Sequence, residues 1–88
     1  MMLTDPVIVA EFPKNSRECV RVALDEFKGQ TLISIRVFYK DSADEWRPGR
    51  SGLSMAVHHL PNLAEALAAA EAKAREMRLI VPPEGNGG

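Results

Sequence analysis

The chain has 88 residues, and its 11 Lys and Arg against 12 Asp and Glu give a formal charge of −1. This length supports one small domain with a marginal core, and the near-neutral charge counts against a general attraction to nucleic acid or to a membrane surface. The single cysteine, Cys19, excludes an internal disulfide and a cysteine-based zinc site, and fits a reducing compartment.

The first 13 residues are ambiguous. Val7–Ala10 is typical of a short strand, but Pro6 and Pro13 flank it, so the order of this segment is left open. The start of the chain lacks the pattern of a signal peptide, and no apolar run reaches the roughly 20 residues of a membrane helix. We therefore expect a protein of the cytoplasm, or of the nucleoid within it, with no membrane partner.

Two segments predict strands joined by a turn. Arg17–Leu24 alternates, which predicts one buried and one exposed face. Its apolar parity holds Val20, Val22 and Leu24, and its other parity holds Arg17, Cys19, Arg21 and Ala23. After a turn at Gly29, Thr31–Tyr39 is dense in β-branched and aromatic residues and predicts the strongest strand of the chain.

The next stretch predicts two shorter strands. Trp46–Pro48 is expected to form only a short third strand, because Pro48 cannot donate a ladder hydrogen bond. Pro48-Gly49 predicts a turn, and Leu53–Val57 predicts the fourth strand.

The hydrophobic period then becomes helical. Apolar residues spaced alternately by three and four predict a helix of about 18 residues with a narrow stripe. The helix starts either with Pro61 in its first turn or with a capping box of Asn62 and Glu65, and Pro82-Pro83 is expected to stop it. The stripe fits packing against a helix of a second copy or against the sheet. It holds Leu60, Leu63, Leu67, Ala70, Ala74 and Met77.

The predicted architecture is therefore of the α+β class, with four antiparallel strands followed by one C-terminal helix. We expect the domain to span residues 11–80, with an N-terminal extension at residues 1–10 and a flexible tail at residues 81–88.

Three motifs carry a family resemblance when they occur in this order and spacing: EFKG, ISIRVFY and WRPGRSGLS. Residues 11 to about 70 resemble the PC4 family, the transcriptional coactivator p15 type of single-stranded DNA-binding domain, in its short prokaryotic form. The resemblance implies a curved four-stranded antiparallel sheet with a helix, and a homodimer that pairs through helix and sheet. We place the dimer interface on Leu60, Leu63, Leu67, Ala70 and Ala74.

The resemblance also implies a function and a set of contacts. Single-stranded DNA would run over the strands with little sequence preference, in transcription regulation or in DNA replication and repair. RNA binding and a contact with the transcription machinery are left open. The family's binding positions fall on Phe27, Lys28, Arg36, Tyr39, Arg47 and Arg50.

Three positions depart from the family pattern. Gln30 and Ser51 stand where the family has lysines, and Tyr39 stands where it has a tryptophan. These departures remove charge or bulk, so they imply a lower affinity for DNA.

The residues themselves favour the same chemistry. Nonspecific binding of a single strand needs cations along the phosphates and flat faces for unstacked bases. Phe27, Tyr39 and Trp46 each lie within three residues of a cation, and residues 14–50 hold eight basic against six acidic residues. The predicted nucleic-acid-binding set is Lys14, Arg17, Arg21, Phe27, Lys28, Arg36, Tyr39, Trp46, Arg47 and Arg50.

Structural interpretations of the same residues remain open. Phe38 and Tyr39 are typical core residues, Trp46 is typical of a lid over a small core, and Arg47 and Arg50 are typical solvated turn charges. Regular alternation also places Arg36 and Tyr39 on opposite faces, so a bulge or a strong twist would be needed to aim both at one ligand.

No catalytic or metal-binding constellation stands out. His58 and His59 are adjacent and would point in opposite directions from a strand, and Cys19 has no histidine close in sequence. We therefore predict no enzyme, no cofactor and no metal. The alternative function is a protein-interaction module, a transcription cofactor with weak or vestigial nucleic-acid binding.

Overall fold

A computed structural model describes residues 5–80 of the chain. It confirms the predicted α+β class, with a four-stranded antiparallel sheet of order β1-β2-β3-β4 followed by one helix. The sheet and the helix form separate compact units. The predicted tail and the first four residues of the predicted extension lie outside the described residues. The elements are β1 Val7–Asn15, β2 Glu18–Phe27, β3 Gln30–Lys40, β4 Trp46–Ala56, a 3₁₀ turn Val57–His59 and α1 Leu60–Glu76.

The first strand is longer than its prolines indicated. The sequence left the order of this segment open, and in the structure β1 runs from Val7 through Pro13 to Asn15. Proline is tolerated there because β1 lies at the edge of the sheet and a register shift follows Pro13 directly.

A two-residue turn joins β2 to β3. Lys28 and Gly29 both have positive φ, 53° and 78°, as a type I′ turn requires. From Glu18 to Phe27, every residue of β2 pairs with one of β3, and the register never shifts.

The sequence predicted a turn at Pro48-Gly49 between two short strands, and this was wrong. Trp46–Ala56 is one strand of 11 residues. A register shift between Arg36 and Phe38 accommodates the extra residues, so that Pro48 pairs with Phe38 and Gly52 pairs with Arg36. Pro48 is compatible with this strand because β4 is the other edge of the sheet.

Glycine is required where β4 approaches β3. A Cβ on Gly49 would lie 2.9 Å from the carbonyl oxygen of Val37, and one on Gly52 would lie 2.7 Å from that of Ile35. Both distances are shorter than ordinary contacts, and the obstacles are backbone atoms. The glycines of the WRPGRSG motif therefore serve close backbone approach in a bulged strand.

The strand register gives the sheet two different faces. The apolar face carries Val20, Val22, Leu24, Ile33, Ile35, Val37, Leu53 and Met55. The other face, here called the cationic face, carries Cys19, Arg21, Ala23, Ser34, Arg36 and Phe38.

The core of the single chain is thin. Among residues 5–80, only Ile33 and Cys19 are buried, with 2% and 5% of their surface exposed. Cys19 was expected on an exposed parity, and this was wrong. Its register neighbours Pro13 and Phe38 flank it, and its Sγ lies 3.5 Å from a carboxylate oxygen of Glu11.

The helix starts as the first of the two sequence alternatives predicts, with Pro61 in its first turn, but it ends earlier than expected. His59 is the N-cap without a side-chain cap bond, and Pro61 lies in the first turn, so Asn62 does not form a capping box. The helix ends at Glu76, before the prolines. There Arg78 adopts a φ of 62°, and the amides of Arg78 and Leu79 bond to the carbonyls of residues 75 and 74, which is a Schellman motif.

We predict that Gly52→Ala destabilises the domain by about 1–3 kcal/mol, because the new methyl group would overlap backbone atoms of β3. The free energy of unfolding from urea denaturation measures this. Ser51→Ala is the matched control and should change the stability by less than about 0.5 kcal/mol, because Ser51 is exposed. Equal stability of the two variants would show that β3 and β4 do not approach this closely.

Candidate nucleic-acid interface

Two arginines face each other on the cationic face. Arg21 of β2 pairs directly with Arg36 of β3. Like charges in directly opposed positions repel, so each guanidinium needs a compensating contact. The Nε of Arg21 donates to a Glu11 carboxylate oxygen at 2.6 Å, and an Nη of Arg36 donates to the carbonyl oxygen of Gly49 at 3.1 Å. The bulge of β4 thus supplies the acceptor that orients Arg36.

An aromatic ring lies beside this pair. The guanidinium carbon of Arg21 lies 4.3 Å from the ring centroid of Phe38, within the range of a cation–π contact. Arg21, Arg36 and Phe38 line a groove of about 310 Å³ on the cationic face, whose remaining lining residues include Ile8, Ser34 and Pro48. The acidic residue Asp25 also lines the groove, which therefore combines two arginines and one carboxylate with flat apolar surface.

Trp46 stands at the start of β4, on the same face of the sheet as Phe38 and Pro48. Its residue surface is 37% exposed, and the Lys40 Nζ lies 5.4 Å from its ring centroid. A second groove of about 400 Å³ runs past Trp46, with Pro13, Cys19 and Glu11 among its other lining residues. The cation beside the Trp46 ring is Lys40 from the adjacent strand. The sequence had indicated Arg47 for this role, because it directly follows Trp46.

Tyr39 and Arg47 lie together on the opposite face. They are register partners, and Tyr39 is 43% exposed. Because β3 pairs with β2 without a shift, Arg36 and Tyr39 point to opposite faces. The bulge that would have brought them together is absent from β3; the register shift instead belongs to β4. One flat ligand on the cationic face therefore cannot contact both side chains within a single chain.

Phe27 and Lys28 lie at the β2–β3 turn. Phe27 is 61% exposed and shares its strand parity with Arg21, and the Lys28 Nζ lies 5.4 Å from the Phe27 ring centroid. The pairing of a ring with a cation that the sequence indicated for this turn is present in the structure.

The remaining predicted cations, Lys14, Arg17 and Arg50, differ in their contacts. Lys14 pairs with Glu18 at 3.1 Å, and an Nη of Arg17 donates to the carbonyl oxygen of Lys40 at 2.9 Å. Within residues 5–80, Arg50 makes no ion pair, and it lies exposed in the bulged part of β4.

Carboxylates hold several of these cations. The hydrogen bond from Arg21 holds the pKa of Glu11 below its usual range, and that from Arg47, at 2.7 Å, does the same for the pKa of Asp41. Hydrogen bonds from Asn15 and Lys14 lower the pKa of Glu18. These carboxylates are therefore ionised at neutral pH and compete with any phosphate for their partners.

Three further observations concern thiol chemistry, metal binding and membrane insertion. Burial raises the pKa of the Cys19 thiol, which disfavours the reactive thiolate. Across residues 5–80, no group of three or more His, Cys, Asp or Glu side chains is placed to hold a metal ion. None of the described helices is both long and apolar enough to cross a membrane.

Sequence reasoning missed three contributors to this surface: Phe38, Lys40 and Glu11. Phe38 was interpreted as core, Lys40 was considered only as a cation near Tyr39 in the sequence, and Glu11 was given no role. The signal that would have found Phe38 is the two-residue turn at Lys28-Gly29, since it sets the register of β2 on β3. Glu11 depends on the register of β1, which contains two shifts, and no sequence pattern indicates those.

The family assignment follows from a profile comparison. The family described as Transcriptional Coactivator p15 (PC4) matches residues 14–66, which is more than half of the chain. The chain belongs to the PC4 family. The match spans β2, β3 and β4 and therefore includes all six residues that define the cationic face.

Solved structures of PC4 homologues share this fold. A PC4 homolog from Burkholderia pseudomallei K96243 matches in an orthorhombic crystal form with a TM-score of 0.70 and 18% identity, covering 81% of this chain and 96% of that chain. Its tetragonal form gives 0.70 and 19%, with coverages of 76% and 98%. The bacteriophage T5 homolog of the eukaryotic coactivator PC4 matches with a TM-score of 0.55 and 27% identity, covering 85% of this chain and 81% of that chain.

We predict that Lys28→Asn raises the free energy of unfolding by up to about 1 kcal/mol, because asparagine tolerates the left-handed conformation that Lys28 adopts in this turn. Thermal or urea denaturation measures the change. Lys40→Asn is the matched control, because it makes the same substitution at the last residue of β3, which does not have a positive φ. It should leave the stability unchanged or lower it. If Lys28→Asn also failed to stabilise, the turn would not have the positive φ described here.

Proposed function

We propose that this PC4-family protein is a homodimer that binds single-stranded DNA with little sequence preference. The observation that supports this most is the groove on the cationic face, in which Arg21, Arg36 and Phe38 combine charge with a flat ring. The bacteriophage T5 homologue is implicated in recombination-dependent DNA replication. By analogy with it and with the coactivator family, we infer a role in DNA replication, repair or transcription.

The proposed binding divides the cations into two groups. Within residues 5–80, no ion pair involves Lys28, Arg36 or Arg50, so these side chains can meet phosphate oxygens without first losing a carboxylate. In contrast, Lys14 and Arg47 must exchange Glu18 and Asp41 for phosphate. We therefore expect a modest affinity, in keeping with the departures at Gln30 and Ser51.

The exposed rings provide the second half of the interaction. Stacking of an unpaired base on an aromatic side chain is worth roughly 1–3 kcal/mol and depends little on which base it is. Trp46 and Phe27 offer such rings beside Lys40 and Lys28. Tyr39 lies on the other face, near the end of the central strand β3, so we propose that it contacts the DNA where a second copy extends the surface.

The homodimer is proposed because a single chain leaves much apolar surface uncovered. Only two of the described residues are buried, and Leu67 on the predicted helix stripe is 57% exposed. Within this stripe Ala70 is also exposed, whereas Leu60, Leu63 and Ala74 are half-buried. Small domains commonly cover such surface by association.

The alternative function is a protein-interaction module that acts on the transcription machinery. The carboxylates that already neutralise Lys14, Arg21 and Arg47 favour it, because they weaken attraction to phosphate. A titration with oligonucleotides separates the two functions, since an interaction module has no need to bind the DNA strand.

In a titration with labelled oligo-dT, we expect binding whose log affinity falls with log salt at roughly 0.7 per phosphate contacted. Duplex DNA should compete poorly, and an RNA competitor tests the choice between DNA and RNA. Trp46→Ala should weaken binding several-fold, because it removes a ring for stacking, without lowering the thermal midpoint substantially. Tyr39→Ala is tested beside Tyr39→Phe, which keeps the ring and should bind like wild type.

Two results would contradict this function. Absence of binding to oligo-dT at low salt would remove it in favour of the interaction module. A large loss of thermal stability in Trp46→Ala or Tyr39→Ala would identify these rings as structural. The fluorescence of Trp46, the only tryptophan of the chain, offers a direct readout of stacking.

We predict that Leu67→Asp dissociates the dimer. Leu67 is exposed in the single chain, and the proposed dimer would bury it, so the new carboxylate would have to be buried without a partner. Light scattering should show the mass of one chain, about half that of the wild type. Leu67→Met preserves the apolar character and should remain dimeric. An unchanged mass for Leu67→Asp would exclude the helix stripe as the interface.

A further inference from the structure

Arg21 is held between a ring and a carboxylate. Its guanidinium carbon lies 4.3 Å from the Phe38 ring centroid, and its Nε donates to Glu11 at 2.6 Å. The Arg21 side chain is 23% exposed, so it is partly covered and still reachable from the groove. Contacts on two sides restrict the side chain to one position at the groove wall.

These contacts change what Arg21 can offer to a nucleic acid. A charge-assisted bond as short as the one to Glu11 is strong, and a phosphate would have to replace it to gain the charge of the guanidinium. A base does not have to replace the bond to Glu11, because it stacks on the planar face of an arginine without breaking the arginine's hydrogen bonds. The geometry therefore favours a base over a phosphate.

The surroundings of Arg21 fit a flat ligand. The groove of about 310 Å³ places Arg36 directly across from Arg21, has apolar walls that include Ile8 and Pro48, and is also lined by the acidic Asp25. Arg36 has its guanidinium bonded to a backbone carbonyl, and no carboxylate within residues 5–80 neutralises it. It remains the phosphate contact of this groove.

We propose that Arg21 is a stacking platform for an unpaired nucleobase, with Phe38 supporting its plane and Glu11 neutralising its charge. The inference rests on the proposed function and deepens it, since it assigns base and phosphate to different arginines of one groove. Phe38 and Glu11 act through Arg21 and are positioning residues.

The test compares two probes of equal length, oligo-dT and an oligonucleotide whose central residues are abasic. Arg21→Lys keeps the charge and loses the plane, so its affinity for oligo-dT should fall several-fold, while its affinity for the abasic probe equals that of the wild type. Arg75→Lys is the matched control. Arg75 also pairs with a carboxylate at 2.6 Å, but it lies on α1 and does not line the groove, so this variant should bind both probes like wild type.

The salt dependence provides a second readout. Arg21→Ala should keep the wild-type slope of log affinity against log salt, because the platform contacts no phosphate. Glu11→Gln should steepen the slope by roughly 0.7, since it releases the Arg21 charge to a phosphate. Phe38→Leu keeps an apolar side chain and removes the flat support, and it should weaken binding to oligo-dT alone. Phe38→Leu also tests the stacking platform if the Arg21 variants fold poorly.

The outcomes separate the two proposals. If wild-type protein does not bind oligo-dT, the proposed function fails. If wild type binds and Arg21→Lys binds both probes equally well, only the stacking platform is overturned. A slope for Arg21→Ala that is shallower by roughly 0.7 would make Arg21 an ordinary phosphate contact. An unchanged slope for Glu11→Gln would overturn the neutralising role of Glu11.

Discussion

The unshifted pairing of β2 with β3 is the constraint on which the rest of this sheet depends. The short turn at Lys28 and Gly29 sets the register, and its two positive φ angles match the twist of the strands. Since side chains alternate along each strand, this single register places two opposed arginines on one face and the branched apolar residues on the other. A slip by one residue would exchange the faces and remove the site.

The edge strands then adapt to this central pair. β4 approaches so closely that Gly49 and Gly52 have no space for a Cβ, and its bulge turns the Gly49 carbonyl toward Arg36. In the motif WRPGRSG, the two glycines therefore permit the close approach to β3, and the carbonyl of Gly49 accepts the hydrogen bond that orients Arg36. The same bulge leaves Arg50 exposed, and the strand carries Trp46 and Arg47 to different faces.

A near-neutral chain can present a local binding surface because some of its cations are paired with carboxylates and others are not. Carboxylates of β1, β2 and the β3–β4 turn hold Arg21, Lys14 and Arg47, whereas the Arg36 guanidinium donates to a backbone carbonyl and makes no ion pair within residues 5–80. Net charge therefore says little about which cations are available to a ligand. In the proposed function this sorting limits affinity and leaves stacking as a main source of binding energy.

Local patterns in the sequence determined the element types. Alternation predicted β2 and β3, the change to helical spacing predicted α1, and the order of three motifs predicted the family. Long-range geometry decided the rest. β4 is continuous because its glycines permit close contact with β3, and β1 passes Pro13 because it lies at an edge; neither cause is local. The environments of Cys19, Phe38 and Glu11 likewise depend on which strands are neighbours, and only the folded sheet specifies that.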